Sequence, residues 1–395
     1  MNRKIVIYIL LILVFIFSIF VGGKFPFLLL FLVSLVIIYS NISNYYNKKN
    51  LEGVFWINKY KFTRGEILKV EYKIYNSGLL PIAYIEIEEN IDERLIEQKD
   101  NAKIFFIKSF DYIRIKKEFI SERRGNYDIG SLNVRLEDIF SIKKSKMILK
   151  DPLKITIYPK IYNIKKINLF GKDFFGSDKT NEKHNEDYSN IKNLREYNPG
   201  DSLKRIHWKT SARKGQFFVK NFNASSNLNV KVFMDFQKEK LSNYNRDLED
   251  ILVEITSSII HFTLKKNIET EFITYSDKKI KMSLNNISIF NHFLDTMVTI
   301  RPNSNRKTSG IILEEVNISS VGTTIVIVTV EIDKSMMGTI FNIRKMGINI
   351  TIFIIKNNYS KIDEEKINNL KTLNVVIYKL YNDDNIEKIL GDGFE

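Results

Sequence analysis

Two uncharged apolar runs open the chain, seventeen residues from Ile5 to Val21 and fifteen from Phe25 to Tyr39, with only Gly22-Gly23-Lys24 between them. Each run is near the short limit for crossing about 30 Å of hydrocarbon, and flanking Tyr, Ser and Asn residues extend both into the interface. The pattern predicts a two-helix transmembrane hairpin over residues 1–48. A cleaved signal peptide is the competing reading, but it requires a small-residue cleavage site where Ser18 to Lys24 leads straight into a second apolar run. Arg3 and Lys4 precede the first run and Lys48 and Lys49 follow the second, against Lys24 alone in the turn. Basic flanks stay on the cytoplasmic side, so the expectation is a two-pass protein of the cell membrane with both termini in the cytoplasm.

The remaining length, within 395 residues overall, is enough for two or three domains. From residue 51 to 160 the apolar residues alternate, as in Leu68, Val70, Tyr72 and Ile74. Similar runs occur at Ala83 to Glu88 and Tyr112 to Phe119, with turn signals at Asn76-Ser77-Gly78 and Arg124-Gly125-Asn126. This predicts an antiparallel β-sandwich-like domain. Residues 161–225 read as a connector, a surface loop from Tyr162 to Asn193 followed by a dense polar motif. From 226 to 395 apolar strands at Asn229–Phe236, Thr323–Val330, Asn349–Ile355 and Val375–Leu380 alternate with helical spacing at Asp247–Lys266 and Ser335–Met346, which predicts a mostly parallel α/β layered sheet. Leu252, Ile255, Ile259 and Phe262 share one face of the first of these helices.

Chemistry is narrowed mainly by what is missing. There is no cysteine, which removes disulfides, thiolate metal sites and thiol nucleophiles. No phosphate-binding glycine loop, His-Glu-x-x-His or Gly-x-Ser-x-Gly occurs, and His184, His207, His261 and His292 do not form a spaced pair. No cofactor and no catalytic residue are assigned. The net charge of +14 and pI near 9.4 favour an acidic partner: nucleic acid, anionic lipid or an acidic protein.

The informative segment is Arg195-Glu196-Tyr197-Asn198-Pro199-Gly200-Asp201, followed by Arg205-Ile206-His207-Trp208-Lys209 and Ser211-Ala212-Arg213. Pro199-Gly200 suits a type II turn. Asp201 or Ser202 is placed to cap a short helix whose Leu203, Ile206, His207 and Thr210 share one face, whose other face carries Arg205, Lys209 and Arg213, and which ends near Gly215. From Asn190 to Lys220 there are eight Lys or Arg against two acids. Three uses are open. The motif docks a partner, or merely staples domains through Asp201 with Arg205 or Arg213 and a buried Trp208; it performs acid-base or phosphate chemistry through Asp201, His207 and Arg195 or Lys209; or Tyr197, Trp208 and Phe217 stack bases among the cations. The bland counterpart of the last is a basic face on anionic lipid.

These residues resemble the signature of the domain of unknown function 58 family. A second segment, Arg123-Arg124-Gly125-Asn126-Tyr127-Asp128-Ile129-Gly130, is similar to the family's Arg-Arg-Gly-x-Tyr-x-x-Gly, and Ile157-Tyr158-Pro159 to its Val-Tyr-Pro. The family's Asp-Pro-Phe-Gly-Leu-Phe stands here as Asp138-Ile139-Phe140-Ser141-Ile142, without the Pro and Gly. The resemblance implies a von Willebrand factor A-like α/β (Rossmann-type) domain after the signature. It also implies an adaptor that works with a MoxR-type AAA ATPase in assembling cell-envelope or other complexes. Such domains often hold Mg²⁺ on Asp-x-Ser-x-Ser; here the matching stretch is Asp235-Phe236-Gln237-Lys238-Glu239, without the serines and with Lys238 adjacent, so Asp235 marks a degenerate site and no metal is expected.

Overall fold

The computed structural model describes residues 3–92, 95, 102–165, 167, 169, 186–198, 201, 205–224, 229–242, 246–316, 323–356, 364–381 and 386. The chain divides into two compact units, Met1–Lys160 and Ile161–Glu395.

The first unit begins with α1 (Arg3–Val21) and α2 (Lys24–Lys49). Gly22 and Gly23, with φ of 63° and 86°, make the reversal that a side chain would oppose. Ser18 Oγ donates to Val14 O within α1 and lies 3.0 Å from Pro26 O of α2, joining the helices at the turn. α2 is long and apolar enough to cross a membrane; Ile5–Val21 is a shorter apolar helix. The polar end of α2 rests on the strands that follow. Asn44 Nδ2 donates to Lys143 O, Asn47 Nδ2 to Pro81 O, and the Leu79 N–H to Tyr46 Oη.

Among the described residues, ten strands follow in this unit: β1 (Leu51–Ile57), β2 (Lys61–Thr63), β3 (Ile67–Asn76), β4 (Ile82–Asn90), β5 (Lys103–Ile107), β6 (Tyr112–Ile120), β7 (Gly125–Ile129), β8 (Ser131–Glu137), β9 (Lys144–Ile148) and β10 (Leu153–Tyr158). They form sheets in the orders β1-β3-β6, β2-β10-β7 and β5-β4-β8-β9, antiparallel except for the β2/β10 pair. Alternation explains them: Leu68, Val70, Tyr72 and Ile74 of β3 point into one core shared with Ile85 and Ile87 of β4 and Leu132, Val134 and Leu136 of β8. The turn expected at Arg124-Gly125-Asn126 falls where β7 begins.

The second unit carries β11 (Glu186–Glu196), α3 (Trp208–Lys214) and β12 (Phe218–Ala224), then β13 (Asn229–Met234), α4 (Lys238–Ser242), α5 (Arg246–Lys265), β14 (Glu269–Tyr275), β15 (Lys279–Leu284), α6 (Phe290–Thr299), α7 (Thr308–Val316), β16 (Thr323–Thr329), α8 (Lys334–Lys345), β17 (Asn349–Lys356), α9 (Glu364–Thr372) and β18 (Val376–Tyr381). Six of these strands form a sheet ordered β15-β14-β13-β16-β17-β18, parallel except for the edge strand β15. Helices cover both faces. Val230, Val232 and Met234 of β13 pack toward α5 and α6, while Phe233 packs with residues of α7, α8 and α9.

The structure corrects two expectations here. The start of the supposed connector belongs to the α/β core: Tyr162, Ile164, Ile167 and Leu169 are buried there. Ser258 Oγ accepts the Tyr162 N–H, Tyr162 Oη donates to Glu254 Oε2, and Thr351 Oγ1 donates to Leu169 O. Buried Tyr162 and Ile164 alternate with exposed Asn163 and Lys165, a stretch too short to announce partners that lie on α5 and the sheet. α5 in turn is buried all round from Asp250 to Ile260 rather than on one face, with Tyr162 packed on its outer side; its Thr256, Ser257 and Ser258 hydroxyls satisfy themselves on carbonyls one turn back. Residues 170–185 of the expected loop lie outside the described residues.

Candidate docking surface and the buried carboxylate beside the sheet

The polar motif is a β-hairpin with a helix set into its tip. β11 and β12 pair antiparallel, with Arg195 opposite Val219 and Glu196 opposite Phe218. The ladder continues past β11, where the Tyr197 N–H donates to Phe217 O and the His207 N–H to Phe218 O. The tip is closed by a two-pronged ion pair. Arg195 Nη1 lies 2.7 Å from Asp201 Oδ2 and Nη2 2.6 Å from Oδ1, and the Asn198 N–H donates to Asp201 Oδ2 at 3.0 Å. The hydrogen bonds from Arg195 and then from the Asn198 amide hold the Asp201 carboxyl down to about 2. Arg195 is pushed above its ordinary value by the same bonds.

Arg195 is therefore the two-pronged partner of Asp201, whereas the staple alternative pairs Asp201 with Arg205 or Arg213; the Arg205 charge adds a smaller pull on the same carboxyl. α3 starts at Trp208, and its N-cap is His207, whose Nδ1 accepts the Thr210 N–H at 3.1 Å. An imidazole nitrogen accepts as a carboxylate would, which hides such a cap from a search for Ser, Thr, Asp or Asn. Gly215, at φ 70°, ends the helix as expected. Ser211 Oγ ties the helix down, donating to His207 O and accepting the Phe218 N–H. Ile206 is buried and bridges to Val219. The proposed Pro199-Gly200 turn, together with Ser202, Leu203 and Lys204, lies outside the described residues.

Trp208, which the staple alternative buries, is 63% exposed, and Phe217 is 55% exposed. They meet edge to face with ring centroids 6.1 Å apart, and Tyr197 joins Phe217 at 6.2 Å. Lys209 and Arg213 are exposed on α3, Arg205 is half-buried, and Lys214 Nζ sits 5.0 Å from the Phe218 ring centre. The hairpin thus presents three edge-to-face aromatic rings on a cationic background. Such surfaces bind apolar, acidic partners: exposed large aromatics are favoured anchors, and the cations supply attraction and orientation.

The other notable constellation surrounds Asp235, just past β13, whose N–H donates to Val328 O of β16. From here the chain lays β14 and β15 to one side of β13 and later returns to lay β16 on the other, so Asp235 stands where the strand order reverses, at the carboxyl ends of parallel strands. Its side chain is fully buried. Thr308 Oγ1 and Gln237 Nε2 donate to Oδ1 at 2.6 and 3.0 Å; Thr329 Oγ1 and Lys240 Nζ donate to Oδ2, both at 2.7 Å. Lys240 Nζ also reaches Glu331 O at 3.1 Å and Asp333 Oδ2 at 3.5 Å. Burial alone would depress Lys240, but the charge and hydrogen bond of Asp235, with Asp333, hold it above its ordinary value. Asp333, despite burial that would raise it, is held low by the Met336 N–H and by Lys240.

This donor set does not fit a divalent cation, because an ammonium already lies against the carboxylate. The positive charge comes from Lys240; Lys238, the expected source, is exposed. Sequence reading missed Lys240, Thr308, Thr329 and Asp333, since the two threonines lie 73 and 94 positions from Asp235. The spacing of five between Asp235 and Lys240 is the only local signal. Among the described residues, no group of three or more His, Asp or Glu side chains converges as metal donors.

The second motif is a structural corner of the β-rich unit. Arg124 is 1% exposed, Tyr127 Oη donates to the carbonyls of Arg123 and Arg124, Gly125 begins β7, and Gly130, at φ 91°, ends it against the Phe55 ring.

Residues 193–354, from the end of β11 into the last residues of β17, match the family described as "Protein of unknown function DUF58". The uncharacterized protein YeaD of Bacillus subtilis (strain 168) is 24% identical over 268 residues, covering 64% of this chain and 63% of that protein, a little under two thirds of its length. An aerotolerance-related membrane protein from Bacteroides fragilis NCTC 9343 overlaps with a TM-score of 0.31 at 12% identity, over 41% of this chain and 94% of that one. Proximal thread matrix protein 1 from the mussel byssus overlaps at 0.28 and 9% identity, over 39% and 43%. Both structural overlaps are too partial to define the fold.

Proposed function

For a chain whose residues 193–354 match the DUF58 family of unknown function, we propose a membrane-anchored adaptor whose hairpin tip docks a cytoplasmic protein. α1 and α2 cross the membrane as a pair, leaving both termini and the two folded units in the cytoplasm. The partner is an AAA ATPase of the MoxR type, and the complex serves assembly or maturation of envelope or other complexes. The α/β unit is von Willebrand factor A-like; its strand order and single antiparallel edge strand support that reading.

The observation that carries docking is the exposed Trp208 and Phe217 pair, backed by half-buried Tyr197 and flanked by Lys209 and Arg213, on a tip that Arg195 and Asp201 lock. Ordering such rings beforehand reduces what a partner loses in freedom on binding. We read the protein as a binding module rather than an enzyme because its two acid-base candidates are occupied. Both oxygens of Asp201 bind Arg195, and His207 Nδ1 caps α3. The test is recovery of partners on the full chain in mild detergent, comparing wild type with Trp208→Ala, Phe217→Ala protein that keeps its circular dichroism spectrum. Recovery of an AAA ATPase by wild type and its loss with the variant supports the proposal. Equal recovery by both removes the hairpin as the docking surface.

A further inference from the structure

The turn between β8 and β9 reverses the usual arrangement of a surface turn, in which polar side chains face water. Its polar residue faces inward: Asp138 is buried, accepting the Phe140 N–H on Oδ2 at 3.1 Å and the Lys143 N–H on Oδ1 at 2.6 Å, while its carbonyl accepts the Ser141 N–H. Ser141, at φ 54°, completes the bend, and Ile142 is buried behind it. What the turn holds outward is apolar: Ile139 is 59% exposed and Phe140 46%. A buried carboxylate that organises two backbone N–H groups, with its own carbonyl holding a third, makes this presentation specific.

The turn also lies against α2. The Phe140 ring meets Tyr39 edge to face at 6.3 Å, and Asn44 Nδ2 donates to Lys143 O at 3.3 Å. Tyr39 ends the apolar run that starts at Phe25. At 1.5 Å per residue it stands about 21 Å along the helix from Phe25, inside or at the edge of a hydrocarbon layer about 30 Å thick. Polar Ser40, Asn41, Asn44 and Asn47 follow it.

Resting on the reading that α2 crosses a membrane, we propose that the β8–β9 turn is a second membrane contact, inserting Ile139 and Phe140 into the interfacial layer of the bilayer beside Tyr39. The occupant is the lipid of that bilayer, because the turn is held against the helix at the depth where the apolar run ends. Tyr39 and Phe140 together form a local aromatic belt. The contact fixes how the β-rich unit stands on the membrane.

The experiment uses the full chain with Trp56→Phe and Trp208→Phe, which removes both native tryptophans. It is reconstituted in phosphatidylcholine–phosphatidylglycerol vesicles with or without brominated acyl chains. One probe is Phe140→Trp, a second is Ile139→Trp, and the reference is Ile148→Trp at the other end of β9, where the native side chain is 66% exposed. The expected result is blue-shifted emission and at least threefold stronger bromine quenching at positions 139 and 140 than at 148. Flotation with the vesicles is measured on the same samples. If the chain floats and quenching at 139 and 140 matches that at 148, this inference is overturned while the anchor stands. If the chain does not float, the anchor reading fails and takes the inference with it.

Discussion

Replacing Lys240 with methionine keeps most of the side-chain length and removes the charge. Asp235 then remains fully buried with only neutral donors, Thr308, Thr329 and Gln237. Removing one partner of a buried ion pair costs about 3–5 kcal/mol, mostly for the charge left behind. At 1.4 kcal/mol per tenfold, that raises the open population by about two to three orders of magnitude or more. Hydrogen–deuterium exchange of peptides from β13 and β16 in the full chain reads this directly, since the Asp235 amide is bonded to Val328 O between those strands. Adding Asp235→Asn to Lys240→Met removes the stranded charge, so the double variant exchanges more slowly than Lys240→Met alone. A change below threefold in the single variant, or additive losses in the double, would refute the account of Lys240 as the cation that neutralises Asp235.

Three further outcomes follow from the same reasoning. Asp201 has its folded value depressed, so its contribution to hairpin order is fully present above the unfolded value near 4 and is lost as pH falls toward about 2; an NMR carboxyl titration with a midpoint near 4 would contradict this. His207→Ala removes the cap of α3 at a cost of about 1 kcal/mol, visible as faster exchange at the Thr210 amide, whereas His207→Asn keeps most of the protection. Tyr72 Oη is buried without a hydrogen-bond partner among the described residues, so Tyr72→Phe is neutral or stabilises by up to about 1 kcal/mol in urea denaturation; a clear loss of stability would reveal a partner.

The elements legible in the sequence are those whose own residues carry their period. Alternation in Leu68–Ile74 marked β3, the continuous apolar runs at Thr323–Val330 and Asn349–Ile355 marked β16 and β17, and the helical spacing near Leu252–Phe262 marked α5, because a half-buried strand or a buried helix writes its environment into consecutive positions. The end of α3 at Gly215 was legible for the same local reason. Its start was not, since His207 caps through a ring nitrogen.

By itself, the sequence determined the apolar N-terminal run, the lack of thiol chemistry, the strand-rich first unit and the family signature, all of which depend on residue type and near neighbours. Only the tertiary structure decided that Tyr162, Ile164, Ile167 and Leu169 belong to the α/β core, that Trp208 faces outward, and that Lys240 is the cation opposite Asp235. The physical reason is separation along the chain. Tyr162 meets Glu254 and Ser258 more than ninety residues away, and Asp235 gathers Thr308 and Thr329 from distant elements. Short-range pattern cannot encode such pairings, because they exist only after the sheet has assembled and its two faces have been covered.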